Sequence, residues 1–197
     1  MRGLKHRKPI YGFAVNDADY SVYTTKKGKQ SICPYYKVWM MMLARCYKQT
    51  QASNYKNCSV DPDWWYFSTF KKWMEKQNWQ NNHLDKDLLK KGNRIYSEKN
   101  CLFVSRKINN LIHIQKRRSK LPTGVSFDKF SSKFIATVCI KGKNKKLGKF
   151  LKMTEAKQAF IKAKAQIVYD VAIQQSDAKT QKYLLKISKE IAANNYY

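Results

Sequence analysis

Between His83 and Asn109 the chain reads HLDKDLLKKGNRIYSEKNCLFVSRKIN, a stretch that gathers residue types suited to metal-assisted phosphodiester chemistry. On an extended strand, His83, Asp85 and Asp87 alternate onto one face. Oxygen-rich clusters of that kind hold Mg2+ or a related hard cation. A cation held there polarises a phosphate and stabilises a leaving oxygen. Asn109 is a candidate second ligand or water-orienting group, and Asn100 a candidate amide for orienting a base. A plainer reading stands beside this one. Asp85 and Asp87 pair with Lys86, Lys90 or Arg94 on a solvated face, and Gly92-Asn93 is an ordinary turn.

The elements that would position these residues follow from local pattern. HLDKDLL reads as a short strand, KKGN as a turn and CLFVS as a second strand. Ser105 then caps a helix through SRKINNLIHIQK. Upstream, Pro34 suits the first turn of a helix whose stripe carries Trp39, Leu43, Cys46 and Tyr47. Asp61-Pro62-Asp63 offers another helix start, followed by Trp65 or Tyr66, then Phe70, Trp73 and Met74. Trp is used 5 times, all between 39 and 79, which predicts an aromatic core under these two helices. Residues 1–31 read as a short strand or ordered arm followed by a basic loop, TTKKGKQ.

Charge narrows the partner class. The 197 residues hold 40 Lys+Arg against 13 Asp+Glu, a net +27. Such a field attracts polyanions, and nucleic acid is the first candidate because each neutralised phosphate releases counterions. With 43% hydrophobic residues the chain can bury a core, which excludes a disordered basic tail. No apolar run approaches the roughly 18 residues that span a membrane. No secretory signal is read at the N-terminus, so the 5 cysteines are expected reduced in a cytoplasm. Cys33, Cys46, Cys58 and Cys101 are a conceivable zinc set, though none of them forms a C-x-x-C pair.

The segment KRRSKLPTG separates two compositions. Beyond it GVSFD, KFIATVCI and KKLGKF alternate as three short strands broken by FSS and KGKN turns. Thr154 is the expected cap of a helix with Ala156, Ala159, Phe160, Ala163, Ile167 and Val171 on its apolar face. A short final helix covers KTQKYLLKISKEIAANNYY. From Arg106 to Lys152 there are 14 Lys+Arg and one acid, Asp128. Arg117, Arg118, Lys120, Lys129, Lys133, Lys141, Lys143, Lys145 and Lys146 are the candidate phosphate contacts.

The combination of GFAVNDADY, CPYYKVWMMMLARCY, VDPDWWYFSTFKKWME, LDKDLLKKGNRIYSEKNCLFVSRKIN and PTGVSFDKF with KFIATVCIKGKNKKLGKFLKMTEAKQAF resembles a phage family. These are bacteriophage HNH homing endonuclease-like proteins with a C-terminal AP2-type DNA-binding domain, and the likeness spans roughly residues 9–172. It implies an α+β chain: an N-terminal arm (1–29), an HNH-like ββα-metal domain (30–115), a basic linker (116–120), an AP2-like three-stranded antiparallel sheet on one helix (121–173) and a helical tail (174–197). It implies that Asp85 is the metal-binding acid, with Asp87 beside it, Asn100 the central asparagine and Asn109 the final ligand. Lys86 stands where the family carries its general-base histidine. A lysine flanked by two aspartates is a poor base, so either His83 is the proton acceptor or a metal-bound hydroxide needs no protein base. The expected function is Mg2+- or Mn2+-dependent hydrolysis of double-stranded DNA in the host cytoplasm. The alternative is a non-catalytic DNA-binding phage protein, a regulator or an antagonist of a host enzyme, with a degenerate core. RNA is a weaker partner, and no membrane is expected. Oligomeric state, target sequence and biological role are not legible.

Overall fold

Aromatic side chains organise the first half of the chain. Helix α1 (Pro34–Tyr47) opens on its proline and buries Tyr36, Trp39, Met42, Leu43 and Cys46. Asp61 then starts a single 3-10 turn, Pro62–Trp65, by accepting from the Asp63 amide. Helix α2 (Phe67–Glu75) buries Phe67, Phe70, Trp73 and Met74 against the same core. The core is locked by direction as well as area: the Trp39 indole N–H donates 2.7 Å to the Trp64 carbonyl, and Tyr36 meets Phe67 edge-on. Trp64 is inside with Trp39 and Trp73, whereas Trp65 and Trp79 are only partly buried.

The computed structural model describes residues 7–49, 55–112 and 120–194. The chain is mixed α+β, with 41% helix and 23% strand. It divides into two compact units, Met1–Arg106 and Lys107–Tyr197.

In the first unit, the segment expected as a basic loop is a hairpin instead, β1 (Tyr23–Lys26) with β2 (Lys29–Ile32). Lys27 and Gly28 both have positive φ, the turn geometry whose twist matches two antiparallel strands. The arm before it is ordered by Val15, which bonds across to Trp65 and Phe67. Two further small sheets frame the loop of interest. Strand β3 (Ser59–Val60) runs parallel to β5 (Ile95–Tyr96), and β4 (His83–Asp85) runs antiparallel to β6 (Leu102–Val104). Helix α3 (Arg106–Ile112) starts directly after Ser105, so the strand, loop, strand, helix order matches the expectation from sequence.

Among the described residues the second unit holds nearly all of α3, one antiparallel sheet and two further helices. Strands β7 (Val125–Asp128), β8 (Lys133–Ile140) and β9 (Lys143–Phe150) lie in that order. Helix α4 (Met153–Ile173) covers one face, with Ala156 packed against Val125 and Ala136. Gly124 makes the approach feasible, since a Cβ there would meet the Phe160 ring at 2.0 Å. Helix α5 (Ala178–Ala192) packs on α4, and the buried Ser188 hydroxyl donates to the Ala165 carbonyl. Two sequence expectations for α4 are corrected. The helix starts one residue before Thr154, with Lys152 at the cap position and no side-chain cap. Its buried set is Ala156, Phe160, Ile161, Lys164, Ala165, Val168 and Ala172, because it serves the sheet on one side and α5 on another.

Candidate nucleic-acid interface

The loop after β4 is closed by its own polar groups. Strand β4 ends at Asp85, so Asp87 does not continue an alternating row with His83 and Asp85. Asp85 is buried, and its Oδ1 accepts the backbone N–H groups of Asp87 (2.8 Å) and Leu88 (2.7 Å). That turns the chain back on itself and seats Leu88 and Leu89 inside. Lys86 is 4% exposed. Its ammonium donates to both carboxylate oxygens of Asp87 at 2.8 Å and to the Asn93 carbonyl at 2.9 Å. An ammonium has three hydrogens, and all three are matched.

Asn93 is the residue that the reading of KKGN as an ordinary turn missed. Besides its carbonyl, its side-chain amide donates to the carbonyls of Lys86 (2.9 Å) and Ile95 (2.7 Å). It therefore ties both ends of the 86–95 loop together. The legible signal was the Gly-Asn pair: Gly92 has φ +74, a left-handed conformation that glycine adopts without strain. Asn100 sits half-buried in the turn before β6, its amide only 3.5 Å from the Ile95 carbonyl. His83 is exposed at the start of β4.

The carboxylates of this loop are engaged by protein groups. Asp85 Oδ1 serves two backbone amides, and Asp87 carries the Lys86 ammonium. Only the lysine end of this pair is buried, so moving the Asp87 carboxylate away would strand the Lys86 ammonium. Among the described residues no three of His, Cys, Asp or Glu gather into a metal-binding group. The cysteines weighed for zinc are core residues: Cys46, Cys58 and Cys101 are buried and Cys33 packs against the same cluster. Burial pushes the Cys46 and Cys101 thiols up to about 12. On α3, the buried Asn109 Oδ1 has no hydrogen-bond partner among the described residues.

The second unit offers a different surface. The pairing Val125↔Ala136, Phe134↔Phe150, Val138↔Lys145 and Ile140↔Lys143 defines the helix-covered face of the sheet. Ser126, Asp128, Lys133, Ile135, Thr137, Cys139, Asn144, Lys146 and Lys149 alternate onto the other face. Among the described residues of this unit no helix packs on the latter, and Cys139 and Lys146 are exposed on it. The basic candidates are thus sorted by register. Lys133 and Lys146 share the open face; Lys143 and Lys145 fall on the helix side; Lys129 and Lys141 sit in the two turns. Lys120 is exposed before the sheet, whereas Arg117 and Arg118 lie outside the described residues. A bulge between Ala136 and Thr137 brings this about, shifting the phase of β9 at Leu147.

Lys149, not singled out from sequence, is the organised cation of the open face. Its ammonium lies 2.7 Å from Asp128 Oδ2, which also accepts from the Ser131 hydroxyl at 2.7 Å. The other Asp128 oxygen accepts the Phe130 amide. The Lys149 bond, then Ser131, holds the Asp128 carboxyl well below the usual carboxylate range. A scan against protein-family models, a search of the curated proteins and a search of the solved structures each return no match to this chain.

Proposed function

We propose that the chain binds double-stranded DNA through the open face of the β7–β9 sheet. In this reading it is a phage HNH- and AP2-like protein whose nuclease-like ββα segment is held shut by Lys86 and does not turn over. The observation that carries it is the register that puts Lys133, Lys146 and Lys149 on one uncovered face of a rigid sheet. A strand surface bearing lysines meets phosphates at fixed spacing, which sets position on a duplex more than sequence. The single acid there, Asp128, is already neutralised by Lys149.

The test is a salt titration of binding to a short duplex. Each lost phosphate contact lowers the slope of log affinity against log salt by about 0.9. The double variant K133A/K146A is expected to lower it by about 1.8, and K143A/K145A, on the helix side, to change it much less. Equal losses from both pairs, or tighter binding to structured RNA than to duplex DNA, overturn the reading.

Hydrolysis is the second reading, and the unpartnered Asn109 Oδ1 on α3 is what favours it. Incubation of the full chain with duplex DNA and Mg2+ or Mn2+ decides between them. Cleavage that disappears in Asp85→Ala restores the enzyme; binding without cleavage in either metal removes it.

A further inference from the structure

A lone apolar side chain in water is ordinary on a protein surface, but one held on a fastened turn among cations is placed for a contact. Phe130 is 104% exposed, in the turn between β7 and β8. It is not on a loose loop. Asp128 accepts its backbone amide at 3.1 Å, accepts the Ser131 hydroxyl, and is itself gripped by Lys149 from the third strand. The turn is thus fastened to both neighbouring strands while its phenyl ring projects free. Leu151, one residue past β9 at the same end of the sheet by register, is 74% exposed. Lys129, Lys133, Lys149 and Lys152 flank this apolar pair; of the two nearby acids in sequence, Asp128 is paired with Lys149 and Glu155 lies in the first turn of α4.

A rigid apolar tip ringed by cations is mismatched to an apolar protein groove, since the lysines would lose water without gaining anions. It matches a base stack, which is apolar inside and lined by phosphates. Architectural proteins use such apolar wedges to part a base step and kink the duplex. Resting on the duplex-binding reading above, we propose that Phe130 is a wedge: it enters between adjacent base pairs while Lys129, Lys133 and Lys152 hold the flanking phosphates. Binding by this chain therefore bends DNA at the contact point, with Phe130 as a positioning residue for that distortion.

The experiment uses the full chain with a duplex carrying 2-aminopurine at successive positions and a fluorophore at each end. The wild type is expected to raise 2-aminopurine emission at one or two adjacent steps and to shorten the end-to-end distance. F130A, which removes no internal contact and should melt like the wild type, is expected to lose both signals. It should bind about tenfold more weakly, the scale of one lost ring-to-base stack, with its salt slope unchanged. F130W is expected to restore them. Wild-type binding with no unstacking, or an F130A protein that unstacks and bends like the wild type, overturns the wedge while leaving duplex binding intact. A loss confined to single-stranded DNA also overturns it. Absence of salt-dependent duplex binding in the wild type would instead overturn the underlying reading.

Discussion

At the scale of single residues, Asp85 and Lys86 have roles that differ from their motif positions. Asp85 acts through the two amides its Oδ1 accepts. Asp85→Ala leaves those donors unmatched and is expected to cost about 1–3 kcal/mol. Asp85→Asn retains an accepting oxygen and is expected to cost under about 1 kcal/mol. Urea denaturation of both variants checks this; equal losses would mean that charge, not capping, is what the site uses. Lys86→Met removes the ammonium and leaves the Asp87 carboxylate and the Asn93 carbonyl without it. Breaking a fully buried pair costs about 3–5 kcal/mol, but the Asp87 side chain is 34% exposed and turns to water. The expected loss is therefore about 2 kcal/mol, read as a lower denaturation midpoint. A stabilised Lys86→Met protein would show that the clamp is dispensable.

At the scale of elements, the sheet depends on how closely α4 approaches it and on how the β7–β8 turn is fastened. Gly124 combines φ +77 with a Phe160 ring where a Cβ would go. Gly124→Ala is expected to destabilise the second unit by at least about 2 kcal/mol through overpacking and backbone strain, measured as loss of protection of β7 and β8 amides in hydrogen exchange. Unchanged protection would mean that α4 simply slides. The turn has a pH signature. The Asp128 carboxyl is depressed mainly by Lys149, so the stabilisation it brings is full above the ordinary carboxylate range and is lost as pH falls through the lowered folded value. The turn should hold at neutral pH and through mild acid. In an acid titration the Phe130 amide shift should move only below about 3.9, the ordinary Asp value. A midpoint at or above that value would mean that Lys149 does not grip Asp128 in solution.

At the scale of the whole molecule, a net +27 is distributed over a folded chain rather than a tail, and the open sheet face carries its own reporter. Cys139 is exposed there, between Thr137 and the β8–β9 turn, whereas Cys46, Cys58 and Cys101 are buried. Maleimide is expected to label Cys139 readily, and saturating duplex DNA to slow that labelling severalfold; labelling indifferent to DNA would move the interface off this face. Much of the architecture was legible in the residues. The Pro34 and Asp61-Pro62 starts, the tryptophan-rich core and the alternation of the last three strands rest on local propensity and periodicity, which a chain carries with it. The β1–β2 hairpin was missed because TTKKGKQ has no apolar alternation, and only the left-handed turn at Lys27-Gly28 reveals it. The apolar stripe of α4 was misplaced because a helix packed on two partners buries more than one stripe, and no single-face pattern describes it. The residue types at 83–109 specified a strand, a tight loop, a strand and a helix, together with a set of carboxylates that either bind a cation or pair with a lysine. Only tertiary structure chose between those for Asp87. Burial removed water from Lys86, and a desolvated ammonium must take the nearest carboxylate and carbonyl as partners. Likewise the lysine count set a strong positive charge, but which lysines share a face depends on one bulge at Ala136/Thr137, a register that exists only in the paired sheet.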